Sequence, residues 1–148
     1  MKRMLVVAGA LLLSVGAGIA QQNVANETQK TMKATGRALG AVLSPMVKGE
    51  KPYDQAAVTT ALGQLEETAK KLPTMFPESI KGLKIEGDYS ASPKVWEDKA
   101  GFSAKIDSFA KVVTEAKAKI KDIDSLKANV PAIGKECSAC HETFRLKI

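Results

Sequence analysis

Four stretches of this chain place apolar side chains at alternating steps of three and four, and that spacing leaves few folds open. The first carries Met32, Thr35, Leu39, Val42 and Met46, with Gly36 and Leu43 widening the stripe. The second carries Val58, Leu62, Leu65, Ala69 and Leu72. The third has Trp96 near its start and then Phe102, Ile106, Phe109, Val113, Ala116 and Ile120. The fourth opens around Asp124 and carries Leu126, Val130, Ile133, Cys137, Cys140 and Phe144. A period near 3.6 is helical, and a narrow three-and-four seam belongs to helices packed at shallow angles. Strand-like alternation is hard to find, and aromatics make up only 5% of the chain. The fold class is therefore all-α, an antiparallel four-helix bundle in one domain.

Local signals set the helix ends. "VKGEKP" stops the first helix, with Gly49 after the last turn and Pro52 shortly beyond. Pro73 closes the second helix, and Ser92 with Pro93 is a cap and first-turn pair for the third. Pro131 lies inside the fourth pattern and predicts a kink or a weakened turn. Two links are short, whereas Pro73 to Ser92 spans about twenty residues, with Pro73, Pro77, Gly82 and Gly87 as breakers. A connection of that length is usually a crossover, a lid or a functional loop.

The N-terminus reads as an export signal. Lys2 and Arg3 precede the apolar run "MLVVAGALLLSVGAGIA", and Gly18 and Ala20 flank Ile19. Cleavage after Ala20 is expected, which divides the chain into a signal at 1–20 and a bundle at 21–148. The competing reading is an uncleaved anchor, for which about 17 residues is marginal. Cleavage lowers the net charge from +6 to +4. Without a dense Lys/Arg cluster or interleaved aromatics, that excess is no nucleic-acid signature. It fits a solvated surface with some preference for acidic partners.

Both cysteines and the only histidine fall in "CSACH", Cys137 to His141. A structural zinc site needs about four ligands, and this set is one short. A thiol oxidoreductase places C-x-x-C at a helix start after a strand, whereas this motif lies deep in a helix. A disulfide between residues three apart within a helix has poor geometry. The remaining reading is a c-type haem attachment site. Cys137 and Cys140 would form thioethers to haem vinyl carbons, and His141 would bind iron. Phe144 flanks the motif on the seam. Arg145, four residues beyond His141, comes round to the same side, where it would pair with a propionate or cover the proximal edge.

At these residues a resemblance becomes specific. A C-terminal C-x-x-C-H followed by x-x-F-R on the last helix resembles the class II cytochromes c, the cytochrome c′ family. It extends through "GEKPYDQAAV" and "YSASPKVWEDKAGF" and is most similar to the low-spin cytochrome c-556 type. In the low-spin branch a methionine of the first helix binds iron, and "ETQKTMKATGRALG" puts Met32 at that position. A thioether is a soft ligand suited to haem iron and raises its reduction potential. The bland alternative is that Met32 only fills space. Gly36, one turn on, has no side chain to obstruct a porphyrin. Met46 and Met75 are weaker candidates.

The resemblance implies one covalent haem c with its iron, and a periplasmic electron carrier rather than an enzyme. His141 and Met32 would be the axial ligands. The implied partners are redox proteins, with no nucleic acid, no stable membrane anchor after signal cleavage, and a monomer or homodimer. The alternative is a five-coordinate, cytochrome c′-like binder of nitric oxide or carbon monoxide. A haem peroxidase would want a polar acid–base group on the distal face, and the single histidine is already proximal. At least two of Phe76, Trp96, Phe102 and Phe144 are expected to wall the haem, because a flat apolar group needs apolar walls.

Overall fold

The computed structural model describes residues 7–83 and 89–147. Lys2, Arg3 and Gly87, used above as a charge pair and a breaker, lie outside them. The first rod comprises α1 (Val7–Arg37), a π-helical turn (Ala38–Leu43) and α2 (Ser44–Val47). Then come α3 (Gln55–Lys71), α4 (Lys94–Glu97), α5 (Lys99–Lys119) and α6 (Ile123–Phe144). Short strands β1 (Tyr89–Ala91) and β2 (Arg145–Lys147) pair antiparallel, with Ser90 opposite Leu146. The first rod packs on α3, α3 on α5, α5 on α6, and α6 returns to α2 and the π turn. This closed square is the expected antiparallel bundle.

Caps explain where the helices begin. The Asp54 carboxylate accepts hydrogen bonds from the amides of Ala56 and Ala57, at 2.9 and 3.1 Å. Asp122 accepts from the Ser125 amide at 2.8 Å while the Ser125 hydroxyl accepts from the Asp122 amide, a reciprocal capping box. Gly49, with φ +75°, ends the first rod, its amide bonded to the Met46 carbonyl. The third segment is two helices rather than one. Asp98 leaves helical geometry and caps α5 through the Gly101 amide. A Cβ on residue 101 would lie 2.2 Å from the Asp98 carboxylate, so any side chain there would force the capping carboxylate to shift.

Two features of the helices need the structure. α6 runs unbroken through Pro131, whose ring is exposed and has no amide hydrogen for the Lys127 carbonyl, so the turn is weakened without ending the helix. In the first rod, Ala38 and Leu43 are five apart yet both buried, because the π turn replaces i→i+4 bonding with i→i+5. Leu43 takes the fully buried place and Leu39 is only half-buried, the reverse of the simple stripe.

The core is in two parts. The larger joins all four long helices through Leu43, Val58, Leu65, Val113, Leu126 and Ile133, none with any solvent exposure. Each such burial contributes about 1.5–3 kcal/mol. The smaller holds Ala25, Ile80, Val95, Trp96 and Phe144, with Phe76, Phe102 and Cys140 against it. The long link supplies Phe76 and Ile80 to it, and its far end is sewn to the C-terminus by β1–β2 and a bond from the Ser92 amide to the Phe144 carbonyl. Among the described residues, no helix is long and apolar enough to cross a membrane.

The capping box has a pH consequence. Hydrogen bonds from the Ser125 hydroxyl and amide hold the Asp122 carboxyl below its ordinary range. A carboxyl depressed by folding stabilises the fold above its unfolded pKa and loses that contribution as pH falls through its folded value. Asp122→Ala is therefore expected to lower the urea midpoint at pH 7, with the gap to the parent narrowing as pH falls below the carboxylate range.

Candidate haem site

The last two turns of α6 present Cys137, Cys140 and His141, all half-buried, with neither thiol in a disulfide. Cys137 packs on the larger core part and Cys140 on the smaller. The motif therefore straddles the seam between them. α1 crosses the same seam from the opposite direction, with Ala25 in the smaller part and Ala38 in the larger. Met32 lies between those two alanines. It is half-buried and belongs to neither part. In sequence, Met32 thus falls between the α1 residue of the smaller part and the first residue of this rod in the larger.

The electrostatics suit uncharged ligands. Burial, with the Cys140 thiol second, pushes the Cys137 thiol up to about 11. Burial also raises Cys140. His141 is lowered, first by burial and then by the Arg145 charge, so its imidazole is neutral at pH 7 with a lone pair free for a metal. Among the described residues, no three His, Cys, Asp or Glu side chains gather around a possible ion. A bare-metal site is therefore absent there, and the zinc reading gains no ligand.

An aromatic wall stands beside Cys140. Phe102 meets Phe76 edge-on at 5.4 Å between centroids and Phe144 at 5.1 Å. The Trp96 indole donates to the carbonyls of Phe76 and Pro77, at 3.0 and 3.3 Å. The four aromatics expected around a haem are thus gathered in one cluster with a thiol of the motif. A cavity of about 320 Å³ opens behind this wall, lined by Phe76, Trp96 and Phe102 but by none of Met32, Cys137, Cys140 and His141.

Arg145 and Gly36 are both exposed. α6 ends at Phe144 and Arg145 follows as its C-cap, its amide still bonded to the His141 carbonyl and its charge close enough to lower the imidazole pKa. It opens β2, is exposed, and lays its guanidinium 4.1 Å over the Tyr89 ring. Gly36 is exposed on α1, and a Cβ there would meet nothing within 4 Å. Met46 and Met75 are buried, Met46 within the larger core part. Sequence reasoning overlooked Thr28, a buried hydroxyl one turn before Met32. Its spacing of four from Met32 was the available signal.

Comparison with known proteins decides the family. The pattern described as cytochrome C′ matches residues 23–145. The chain belongs to the cytochrome c′ family. It is 55% identical to cytochrome c-556 of Rhodopseudomonas palustris, over 99% of both chains. It is 43% identical to cytochrome c-555 of Bradyrhizobium diazoefficiens, over 100% of this chain and 99% of that one. The solved structure of oxidized R. palustris cytochrome c556 superposes with a TM-score of 0.75, covering 86% of this chain and 98% of the other. The resemblance to class II cytochromes c of the c-556 type is thus borne out, and with it the four-helix bundle.

The protein is accordingly a haem-binding cytochrome of the electron-transfer class, its cofactor a covalently bound haem c with iron. The residues present fit that cofactor: two unbridged, half-buried thiols on one helix, a neutral imidazole beside them, and an apolar wall. The colour is expected to stay with the polypeptide on acid–acetone extraction. Changing Cys137 and Cys140 together to Ser is expected to release it, and colour that extracts freely from the parent would contradict covalent attachment.

Proposed function

We propose that this cytochrome is a periplasmic one-electron carrier whose haem is held by Cys137 and Cys140 and whose iron is bound by His141 and Met32. The observation that supports the reading is the divided core, with Cys137 packed on one part, Cys140 on the other, and half-buried Met32 in neither. When bound, the haem supplies reversible one-electron chemistry at iron. The protein's part is to fix and shield it. Cys137 and Cys140 anchor α6 to the cofactor from either side of the seam. His141, neutral because buried, offers a lone pair without first losing a proton. Met32 offers a soft, uncharged sulfur that favours the reduced state. Phe76, Trp96, Phe102 and Phe144 exclude water along one side and keep the local dielectric low. No acid–base group is called for, and the role is transfer rather than catalysis on a substrate.

Export with cleavage after Ala20 belongs to the same proposal. The family pattern begins at residue 23, and the solved c556 chain covers 86% of this one although the curated c-556 sequence covers 99%. That difference supports a mature chain lacking a leader of the expected size.

Met32→Ala tests the ligand set against an open, gas-binding haem. Loss of the thioether is expected to turn the ferric iron high-spin or admit water, to lower the reduction potential, and to speed carbon monoxide binding to the ferrous form. Met46→Ala and Met75→Ala, both core truncations, are expected to cost about 2–5 kcal/mol of stability and leave the spin state unchanged. A Met32→Ala protein with the parent's spectrum and gas-binding rate would remove Met32 as ligand and favour the gas-binding reading.

A further inference from the structure

Around Met32 the first helix lacks the apolar packing that holds it elsewhere, yet it is tied on both sides of that residue. Thr28, one turn before, and Thr35, one turn after, lie on the same face as Met32 and are both 8% exposed. The Thr28 hydroxyl approaches the Val24 carbonyl at 3.0 Å and, across the fold, the Met75 carbonyl at 2.9 Å. The Thr35 hydroxyl approaches the Thr31 carbonyl at 2.8 Å and the Thr68 hydroxyl of α3, also at 2.8 Å. Thr68 has no solvent exposure and is further bonded to the Gln64 carbonyl and side-chain amide.

These bonds differ from the usual helical threonine. Thr59, Thr60 and Thr114 are exposed and each donates to the carbonyl four residues back, within its own helix. Each hydroxyl has one proton, which Thr28 shares between its local carbonyl and a second element, while Thr35 also lies within bonding distance of a second hydroxyl. The anchor for Thr28 is itself fixed, because the carbonyls after Met75, those of Phe76 and Pro77, accept from the Trp96 indole. A buried hydroxyl or carbonyl left without its partner is costly, so both ties resist displacement of this stretch of α1.

We propose that Thr28 and Thr35 are positioning residues for the sixth ligand: their bonds to the Met75 carbonyl and to Thr68 hold the Met32 turn of α1 in place and set how readily its sulfur leaves iron. The inference rests on the reading of Met32 as that ligand. It assigns a function to the long link, whose Met75 carbonyl becomes a fixed stop for the ligand-bearing helix. Loosening either tie lets the turn move outward without removing any atom from the cofactor's surroundings.

The test uses the holoprotein with Thr28→Val and Thr35→Val, which keep shape and remove the hydroxyl. Thr28→Ser restores a hydroxyl, and Thr114→Val removes one that has only a local bond. Thr28→Ala and Thr35→Ala carry the test if a Val variant yields no holoprotein. Three quantities are read: carbon monoxide association with the ferrous form, the methionine–iron charge-transfer band of the ferric form, and amide hydrogen exchange across residues 28–35. Each Val variant is expected to raise the association rate roughly fivefold, the factor equivalent to a net hydrogen bond of ~1 kcal/mol. The band should weaken and exchange should quicken in step, with Thr28→Ser and Thr114→Val close to the parent. Val variants that lose stability but keep the parent's rate and band would overturn the clamp. Met32→Ala, run alongside, separates the two failures. If it opens the site while the threonine variants do not, only the clamp is wrong; if it changes nothing, the sixth-ligand reading fails and the clamp with it.

Discussion

Leu126, Val130 and Ile133 bind α6 into the main core, and the same stripe then reaches Cys137, Cys140 and Phe144, where that core stops. On the proposed reading, one helix packs side chains over its first half and a planar cofactor over its second. A bundle packed with side chains along its whole length would leave a porphyrin nowhere to go. Two separate apolar clusters, each closed by residues from several elements, keep the helices in place on either side of the CSACH turn. The π turn, the split third helix and the small sheet all serve this division.

The protein's own polar groups hold the structure where apolar packing gives out. Thr28, Thr35 and Thr68 tie α1 across the seam, the Trp96 indole fixes the link, and the Ser92 amide with β1–β2 fastens that link to the end of α6. Among the described residues, no buried side-chain nitrogen or oxygen lacks a partner. Such satisfied networks favour a single geometry over a loose one. A carrier gains from that, because ligands held in one place need little rearrangement when the iron changes charge.

How much of this was legible in the sequence follows from the range of the forces involved. The stripes at Val58–Leu65, Ile106–Val113 and Leu126–Ile133 reported the core faithfully, because burial on a helix is a local, periodic property. CSACH stood out because it gathers both cysteines and the only histidine at one fixed, local spacing. Gathering Phe76, Trp96, Phe102 and Phe144 was foreseeable from the stripes and the length of the link. The π turn was hidden, since Leu39 and Leu43 both suit a helical stripe and only tertiary packing chooses between them. Nothing local marks the break at Asp98, where the backbone leaves helical geometry and the carboxylate caps the Gly101 amide. The stacking of Arg145 on Tyr89 was hidden because nothing local signals that a strand far back in the chain pairs with the C-terminus.

The central claim is that iron sits at the seam between a nitrogen of His141 and the sulfur of Met32. X-ray absorption at the iron edge of the purified protein measures this directly, in both oxidation states. The account predicts a shell of nitrogen scatterers with a single sulfur at bonding distance, and loss of the sulfur in Met32→Ala. A parent protein with nitrogen alone, or with nitrogen and a light oxygen in the sixth position, would contradict it.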